Sequence, residues 1–332
     1  MKAVFLDRGS FPDGVSFRLP ASVTEVIEYN NTSLQQVAER IKDADIVLTN
    51  KALIDANALY TADHLRLIQV MATGTNNVDL VACEARGIRV QNVAGYSTIS
   101  VPEHTFAMLL ALRRNLTCYL DDVKAGKWAQ AEYFCFLDHP IKDLSGSTLC
   151  IIGGGTLGQK VAGIARAFGM NVVFAERKHT NIIRDGYVSF ENAIARADVI
   201  SINCPLTDDT KNLISHAEFA LMKPTCLLLN ISRGGIVDEQ ALVTAFNHHT
   251  IAGAAFDVAT QEPMPINHPL QALSQRPDFL LTPHIAWASS ESMQTLANMA
   301  MDKIAHFING DHLNDVHIDV TQTDVTQTDG TQ

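Results

Sequence analysis

Thr148-Leu149-Cys150-Ile151-Ile152-Gly153-Gly154-Gly155-Thr156-Leu157-Gly158 is the stretch that decides how this chain folds. An apolar run leads into G-x-G-x-x-G. A helical pattern follows over residues 159–168, and Gly169 stands where a helix-ending glycine belongs. The order is strand, tight turn, helix N-terminus. Gly153, Gly155 and Gly158 let the backbone turn and approach a pyrophosphate, with Thr156 and Leu157 at the start of the helix, whose N-terminus favours negative charge. Glu176 lies 18 residues beyond Gly158, at the end of the next apolar run, where an acid is expected to meet the ribose hydroxyls of NAD. Such an acid repels a 2′-phosphate, so NAD is expected over NADP. Arg177 and Lys178, which follow at once, are the cations that would accept NADP.

Outward from this point, short apolar runs alternate with helical patterns. The runs cover residues 2–7, 45–49, 67–71, 88–92, 148–152, 171–175, 198–202, 225–230, 250–256 and 279–282. The alternation predicts βαβ units and parallel sheets, an α/β fold. The first four runs precede the fingerprint and form an α/β unit of their own. A helix is expected from a capping box at Ser100-Val101-Pro102-Glu103 to about Asn115, and another from near Ser289 to about Ile308. If the second returns the chain to the first unit, the domains are discontinuous: 1–99 with 285–316, and 100–284 inserted between them. Residues 317–332 repeat with a period of five, are polar and lack aromatics, so this tail is expected to be disordered.

The 332 residues are enough for about two domains. They are 47% hydrophobic and 18% charged, which allows a sizeable core. The net charge of −11 and the lack of a basic stripe argue against nucleic acid and anionic membrane as partners. No C-x-x-C pair occurs among the six cysteines, which read as free thiols of a reducing cytoplasm. The opening segment reaches Asp7 too early for a secretory h-region, and the apolar stretch over 106–112 is too short to span a bilayer. The expectation is a soluble, cytoplasmic protein. Neither H-E-x-x-H nor a Cys/His ligand spacing occurs, so no metal site is expected.

Three motifs stand at the ends of later strands, where ligands bind in open parallel sheets. In Asn230-Ile231-Ser232-Arg233-Gly234-Gly235 the guanidinium of Arg233 matches a carboxylate or 2-oxo acid bidentately, as lysine would not. Read by itself, it is equally a surface arginine in a turn. The second motif is Phe256-Asp257-Val258 followed by Glu262-Pro263, and the third is Thr282-Pro283-His284-Ile285-Ala286-Trp287. Histidine suits proton exchange near neutral pH, and a carboxylate such as Glu262 bonded to His284 would fix its tautomer. An earlier loop, Met71-Ala72-Thr73-Gly74-Thr75-Asn76-Asn77, is small enough for backbone N–H groups to crowd a carboxylate, or is an ordinary turn.

Taken together and in order, these residues resemble the D-isomer-specific 2-hydroxyacid dehydrogenases. The resemblance rests on Ala72 to Asp79, Ser100 to Thr105, the fingerprint, Arg233-Gly234-Gly235, Glu262-Pro263 and Pro283-His284, and covers about residues 1–316. The Ala72–Asn77 loop, Phe134 to Pro140 and the ending His284 to Trp287 are most similar to the glycerate dehydrogenase (hydroxypyruvate reductase) branch. The resemblance implies two Rossmann-like domains, a discontinuous substrate domain with an inserted dinucleotide-binding domain, an active site in the cleft and a homodimer. Arg233 would bind the substrate carboxylate and polarise the 2-oxo group, His284 would donate the proton, and Glu262 would hold His284. Ala72, Thr73 and Gly74 would seat the carboxylate, and Lys51 would reach the substrate. Thr105 would contact the cofactor, Cys204, Pro205 and Thr210 would line its adenosine side, and Ile231, Ser232 and Asp257 would face the nicotinamide. The implied reaction is NADH-dependent reduction of a 2-oxo acid to a D-2-hydroxy acid, first hydroxypyruvate to glycerate and glyoxylate to glycolate. The alternatives are a reductase for a keto-sugar acid or of the 3-phosphoglycerate type, or a non-catalytic NAD-sensing protein on the same fold.

Overall fold

The structure is a computed structural model that describes residues 1–310; the repeated tail and residues 311–316 lie outside the described residues. The chain divides into two units. Among the described residues, one comprises Met1–Ser97 and residues 290–310, the other Thr98–Ser289.

The first unit holds a parallel sheet of β1 (Lys2–Phe5), β2 (Glu25–Glu28), β3 (Ile46–Thr49), β4 (Leu67–Val70) and β5 (Arg89–Gln91), in the order β2-β1-β3-β4-β5. Helices α1 (Leu34–Ile41), α2 (Ala56–Tyr60) and α3 (Leu80–Ala85) connect the strands. Val4, Val47, Ile68 and Val70 pack with Val37, Ile41 and Leu59 into one core, as the period-two alternation of a strand requires. Strand β2 was not among the expected runs. It is an edge strand with mostly exposed side chains, so its sequence carries no apolar run.

The second unit contains α4 (Ser100–Arg113) and α5 (Leu116–Lys124), followed by a second parallel sheet. Its strands are β6 (Thr148–Ile152), β7 (Asn171–Ala175), β8 (Tyr187–Val188), β9 (Val199–Ile202), β10 (Leu227–Asn230), β11 (Gly253–Phe256) and β12 (Phe279–Leu281). They lie in the order β12-β11-β10-β9-β6-β7-β8, with the order reversing between β6 and β9. Strand β8 was also unexpected, because two residues are too few to show a pattern. Leu149 and Ile151 turn to a core shared with α4 and α6 (Thr156–Ala167). Cys150 and Ile152 turn to the opposite core, shared with α7 (Phe190–Arg196), α8 (His216–Leu221), α9 (Glu239–Asn247) and α10 (Pro269–Leu273). Both sheet faces are therefore buried, as in a doubly wound sheet.

Helix α4 departs from the expected start. Ile99 is its N-cap and Ser100 its first helical residue, because the Glu103 N–H already donates to the Ile99 carbonyl at 3.1 Å. Pro102 then occupies the third helical position, where an N–H has no partner within the helix. Helix α6 ends as expected, with Gly169 at φ 72° and the Met170 N–H donating to the Ala165 carbonyl. Helix α11 (Ser290–Asn309) belongs to the first unit, where Phe307 lies 5.6 Å from the guanidinium carbons of Arg66 and Arg89. Residues 285–289 stay with the second unit, tied there by the N–H groups of Ile285 and Ala286 to Asp257.

Candidate active site and cofactor site

All strands of the second sheet run the same way, so the loops after β6, β7, β9, β10, β11 and β12 emerge at one edge. These loops carry Gly153, Glu176, Cys204, Arg233, Glu262 and His284 in turn.

Steric demands explain the glycines. A Cβ on Gly158 would meet the Gly153 carbonyl oxygen at 2.0 Å, and one on Gly153, where φ is +97°, would meet the Asn203–Cys204 backbone at 2.7 Å. Those two glycines close the turn onto the strand and helix. Gly155 differs, because a Cβ there would meet nothing within 4 Å, and the backbone is open. It is the N-cap of α6, has no side-chain cap, and leaves the first N–H groups of the helix for a ligand. An exposed, uncapped helix start behind an open glycine fits a pyrophosphate.

Cys204, Pro205 and Thr210 form one loop after β9, closed by the Thr210 hydroxyl donating to the Pro205 carbonyl at 2.7 Å. The Ser232 hydroxyl donates to the Cys204 carbonyl at 2.5 Å, which joins this loop to the one after β10. Ile231 is buried in the core below. Thr105 lies in α4, buried, with its hydroxyl donating to the Val101 carbonyl at 2.8 Å.

The loop after β10 lies against the loop after β11. A Cβ on Gly234 would meet the Ala259 carbonyl oxygen at 2.0 Å, so only glycine permits that approach beside Arg233. Arg233 is half-buried and donates from Nη1 to the Ser232 carbonyl at 2.8 Å. Glu262 Oε1 accepts from the Ala259 N–H at 3.1 Å, and Oε2 lies 2.7 Å from Nδ1 of His284. An ionised carboxylate can only accept, so the Nδ1 carries the proton and Nε2 is the nitrogen left for proton exchange. Both side chains remain partly open, at 23% for His284 and 33% for Glu262.

His284 adopts φ +54°, an unusual conformation for a non-glycine residue. Asp257 holds this turn from below. Its carboxylate, 1% exposed, accepts from the Ile285 N–H at 2.9 Å, the Ala286 N–H at 2.8 Å and the Thr282 hydroxyl at 2.5 Å. The single proton of Thr282 goes to Asp257, so His104, whose Nε2 lies 3.0 Å from that hydroxyl, donates to it. Asp257 thus faces inward, holding the backbone just after His284 and the Thr282 side chain just before it. A second buried group steadies the Glu262 loop: Glu239 accepts from the Thr260 N–H at 2.8 Å and lies 3.1 Å from His268. His104, Thr282 and Glu239 were not singled out in sequence. The first two stood inside quoted motifs, but nothing in their spacing showed that they meet.

Glu176 is also deeply buried. Its carboxylate accepts two bonds from the Arg184 side chain, both at 2.7 Å, and further bonds from the N–H groups of Arg177 and Arg184 at 2.8 and 3.1 Å. The Arg184 guanidinium, aided by those N–H groups, holds the carboxyl down at about 2.

In the first unit, Ala72, Thr73 and Gly74 follow β4 and Lys51 follows β3. The Thr73 hydroxyl donates to the Val93 carbonyl at 3.0 Å. Buried Asp7 accepts from the N–H groups of Asn50, Lys51 and Ala52 and so fixes the loop that carries Lys51.

Comparison with known proteins places this architecture. The family model for the D-isomer specific 2-hydroxyacid dehydrogenase NAD binding domain matches residues 106–286. The chain is 41% identical over 317 residues to the glycerate dehydrogenase of Methylorubrum extorquens, covering 95% of this chain and 98% of that one. It is 34% identical over 323 residues to the hydroxypyruvate reductase of Blautia hydrogenotrophica, covering 95% and 99%. Among solved structures, the Aquifex aeolicus D-lactate dehydrogenase, complexed with NAD and lactic acid, superposes with a TM-score of 0.78 at 26% identity over 93% of this chain and 96% of that one. The chain belongs to the D-isomer-specific 2-hydroxyacid dehydrogenase family, with its NAD-binding domain inserted between the two segments of the first unit.

Proposed function

We propose that this dehydrogenase reduces hydroxypyruvate to D-glycerate with NADH, and glyoxylate to glycolate as a second substrate. The observation that carries the reading is the 2.7 Å contact between Glu262 and Nδ1 of His284, on loops that follow neighbouring strands, with Arg233 on the loop after the next strand. The names of the M. extorquens and B. hydrogenotrophica relatives support the choice of substrate.

When bound, the nicotinamide cofactor supplies the hydride. The rest of the chemistry falls to this chain. Arg233 binds the substrate carboxylate and faces the carbonyl oxygen, where negative charge develops. His284 takes up a solvent proton at Nε2, becoming an imidazolium that the Glu262 carboxylate stabilises through Nδ1–H. It gives that Nε2 proton to the oxygen, returning to the neutral ring protonated on Nδ1. Within the first unit, the Ala72–Gly74 backbone and Lys51 are the groups we assign to substrate binding, on the family resemblance. The first unit is then the substrate domain. The open Gly155 and the uncapped start of α6 support the same cofactor placement as Thr156 and Leu157.

The assembly we propose is a homodimer. Residues after α5 leave an apolar cluster in solvent, including Trp128, Tyr133, Phe134 and Leu137, the last two 89% and 76% exposed. The compartment we propose is the cytoplasm, supported by cysteines that are all free. Among the described residues, no helix is long and apolar enough to cross a membrane.

The test is NADH oxidation by the purified protein against hydroxypyruvate, glyoxylate, pyruvate and 2-ketogluconate. A kcat/KM highest for hydroxypyruvate, with D-glycerate as product, is expected. A higher value for pyruvate or 2-ketogluconate contradicts the substrate assignment.

A further inference from the structure

We infer that Arg184, rather than Glu176, meets the adenosine ribose of the cofactor, and that the chain accepts NADPH as well as NADH. Three observations lead there.

The first is that Glu176 has nothing left to offer. A carboxylate accepts about four hydrogen bonds, two per oxygen. Here Oε1 receives the Arg177 N–H and one Arg184 guanidinium N–H, while Oε2 receives the Arg184 backbone N–H and its Nε–H. The side chain is 3% exposed. A ribose diol could reach it only by displacing a charged, two-pronged donor with neutral hydroxyls, an exchange of stronger bonds for weaker ones.

The second is where Arg184 stands. Its side chain is 52% exposed, so it covers Glu176 on the solvent side. Its guanidinium carbon lies 3.9 Å from the centre of the Tyr187 ring. The Tyr187 hydroxyl presses against the fingerprint, since a Cβ on Gly154 would meet it at 2.2 Å. The turn that returns the chain to β8 closes with the Tyr187 N–H on the Arg184 carbonyl, with Gly186 at φ +78°. Arg184 is therefore braced at the rim beside the pyrophosphate loop. Two of its five N–H donors face Glu176, and the others remain for an incoming oxygen.

The third is charge. An acid at this position selects NAD because it repels a 2′-phosphate. Here Arg184 neutralises Glu176, and Lys178 is engaged by Glu218 at 2.8 Å. Of the remaining charged groups on the segment, Arg177 and Asp185 are both exposed and opposite in sign. The three cations balance the three acids, so the repulsion is absent, and the guanidinium suits either a 2′-hydroxyl or a 2′-phosphate.

The inference rests on the NAD-binding assignment and is tested by binding, not turnover, so its failure is distinct from failure of the substrate reading. Fluorescence titration of the full-length protein with NADH and with NADPH should give dissociation constants within about tenfold of each other. NADPH weaker by more than that overturns the inference. In competition, 2′,5′-ADP should displace NADH at least as well as 5′-AMP; clearly poorer displacement overturns it. Arg184→Ala should leave Glu176 as an unpaired acid and shift the NADPH-to-NADH ratio against NADPH by at least about tenfold. A smaller shift in a folded variant, judged by circular dichroism, overturns the inference, and the two wild-type measurements decide it even if that variant does not fold.

Discussion

Glu262 Oε2 lies 2.7 Å from Nδ1 of His284, although 22 residues separate them. The contact forms because β11 and β12 are adjacent and parallel, so their following loops leave the sheet side by side. Glu262→Gln keeps the shape but lets the side chain present an amide NH2, which no longer demands a proton on Nδ1. Loss of tautomer control should lower kcat about 10- to 100-fold with little change in KM, by analogy with other residues that orient a histidine. Steady-state kinetics at saturating NADH would show it. A change confined to KM would place Glu262 in substrate binding instead.

Asp257→Asn tests the support beneath His284. Asp257 gives one oxygen to the Ile285 N–H and the other to the Ala286 N–H, so in asparagine the NH2 must face one of these two donors. Two donors facing each other in a buried site should cost on the order of 2 kcal/mol of folding stability. Urea denaturation measures the loss, and kcat should fall with it as the His284 turn shifts. Unchanged stability with weakened NADH binding would instead assign Asp257 to the cofactor.

Gly234→Ala probes the placement of Arg233. The added methyl would stand 2.0 Å from the Ala259 carbonyl oxygen, so one loop must move. The expected result is destabilisation on the order of 1–3 kcal/mol and a higher KM for the 2-oxo acid, with NADH affinity retained. An unchanged KM would mean that the position of this loop does not govern substrate binding.

The Glu176–Arg184 pair predicts a pH dependence of stability. The folded carboxyl is held at about 2, below its ordinary value of 4.5, so the pair contributes fully above 4.5 and its contribution is lost as pH falls toward 2. The difference in urea midpoint between the wild type and Glu176→Gln should be constant from pH 7 to 5 and shrink below 4.5. A difference that grows on acidification would contradict the depressed value.

Phe134→Asp places a charge in the exposed apolar cluster after α5. Analytical ultracentrifugation should show the wild type as a dimer and the variant shifted toward monomer. A wild type that sediments as a monomer would remove this interface.

The sequence made the cofactor site legible where local sterics impose the residue. Gly153 and Gly158 can be nothing else at those contacts, and the flanking apolar run and helical pattern are continuous in sequence. Arg233, Glu262 and His284 were legible through their motifs, because each follows a buried strand by a few residues. What stayed hidden depends on long-range approach. The Arg184 grip on Glu176 needs the turn at Gly186 and a strand of two residues to bring it back. The bond from His104 to Thr282 spans 178 residues. Asp257 read as a group facing the nicotinamide, yet its carboxylate is taken up by Thr282, Ile285 and Ala286. Spacing shows where a side chain sits on the fold, but not which donors reach it first.

His284→Ala is the variant that tests the central claim most directly. With hydroxypyruvate and saturating NADH, kcat/KM should fall by at least about 100-fold, the scale of a lost general acid, while NADH binds as in the wild type by fluorescence titration. Turnover close to the wild type in that variant would contradict the assignment of His284 as the proton donor.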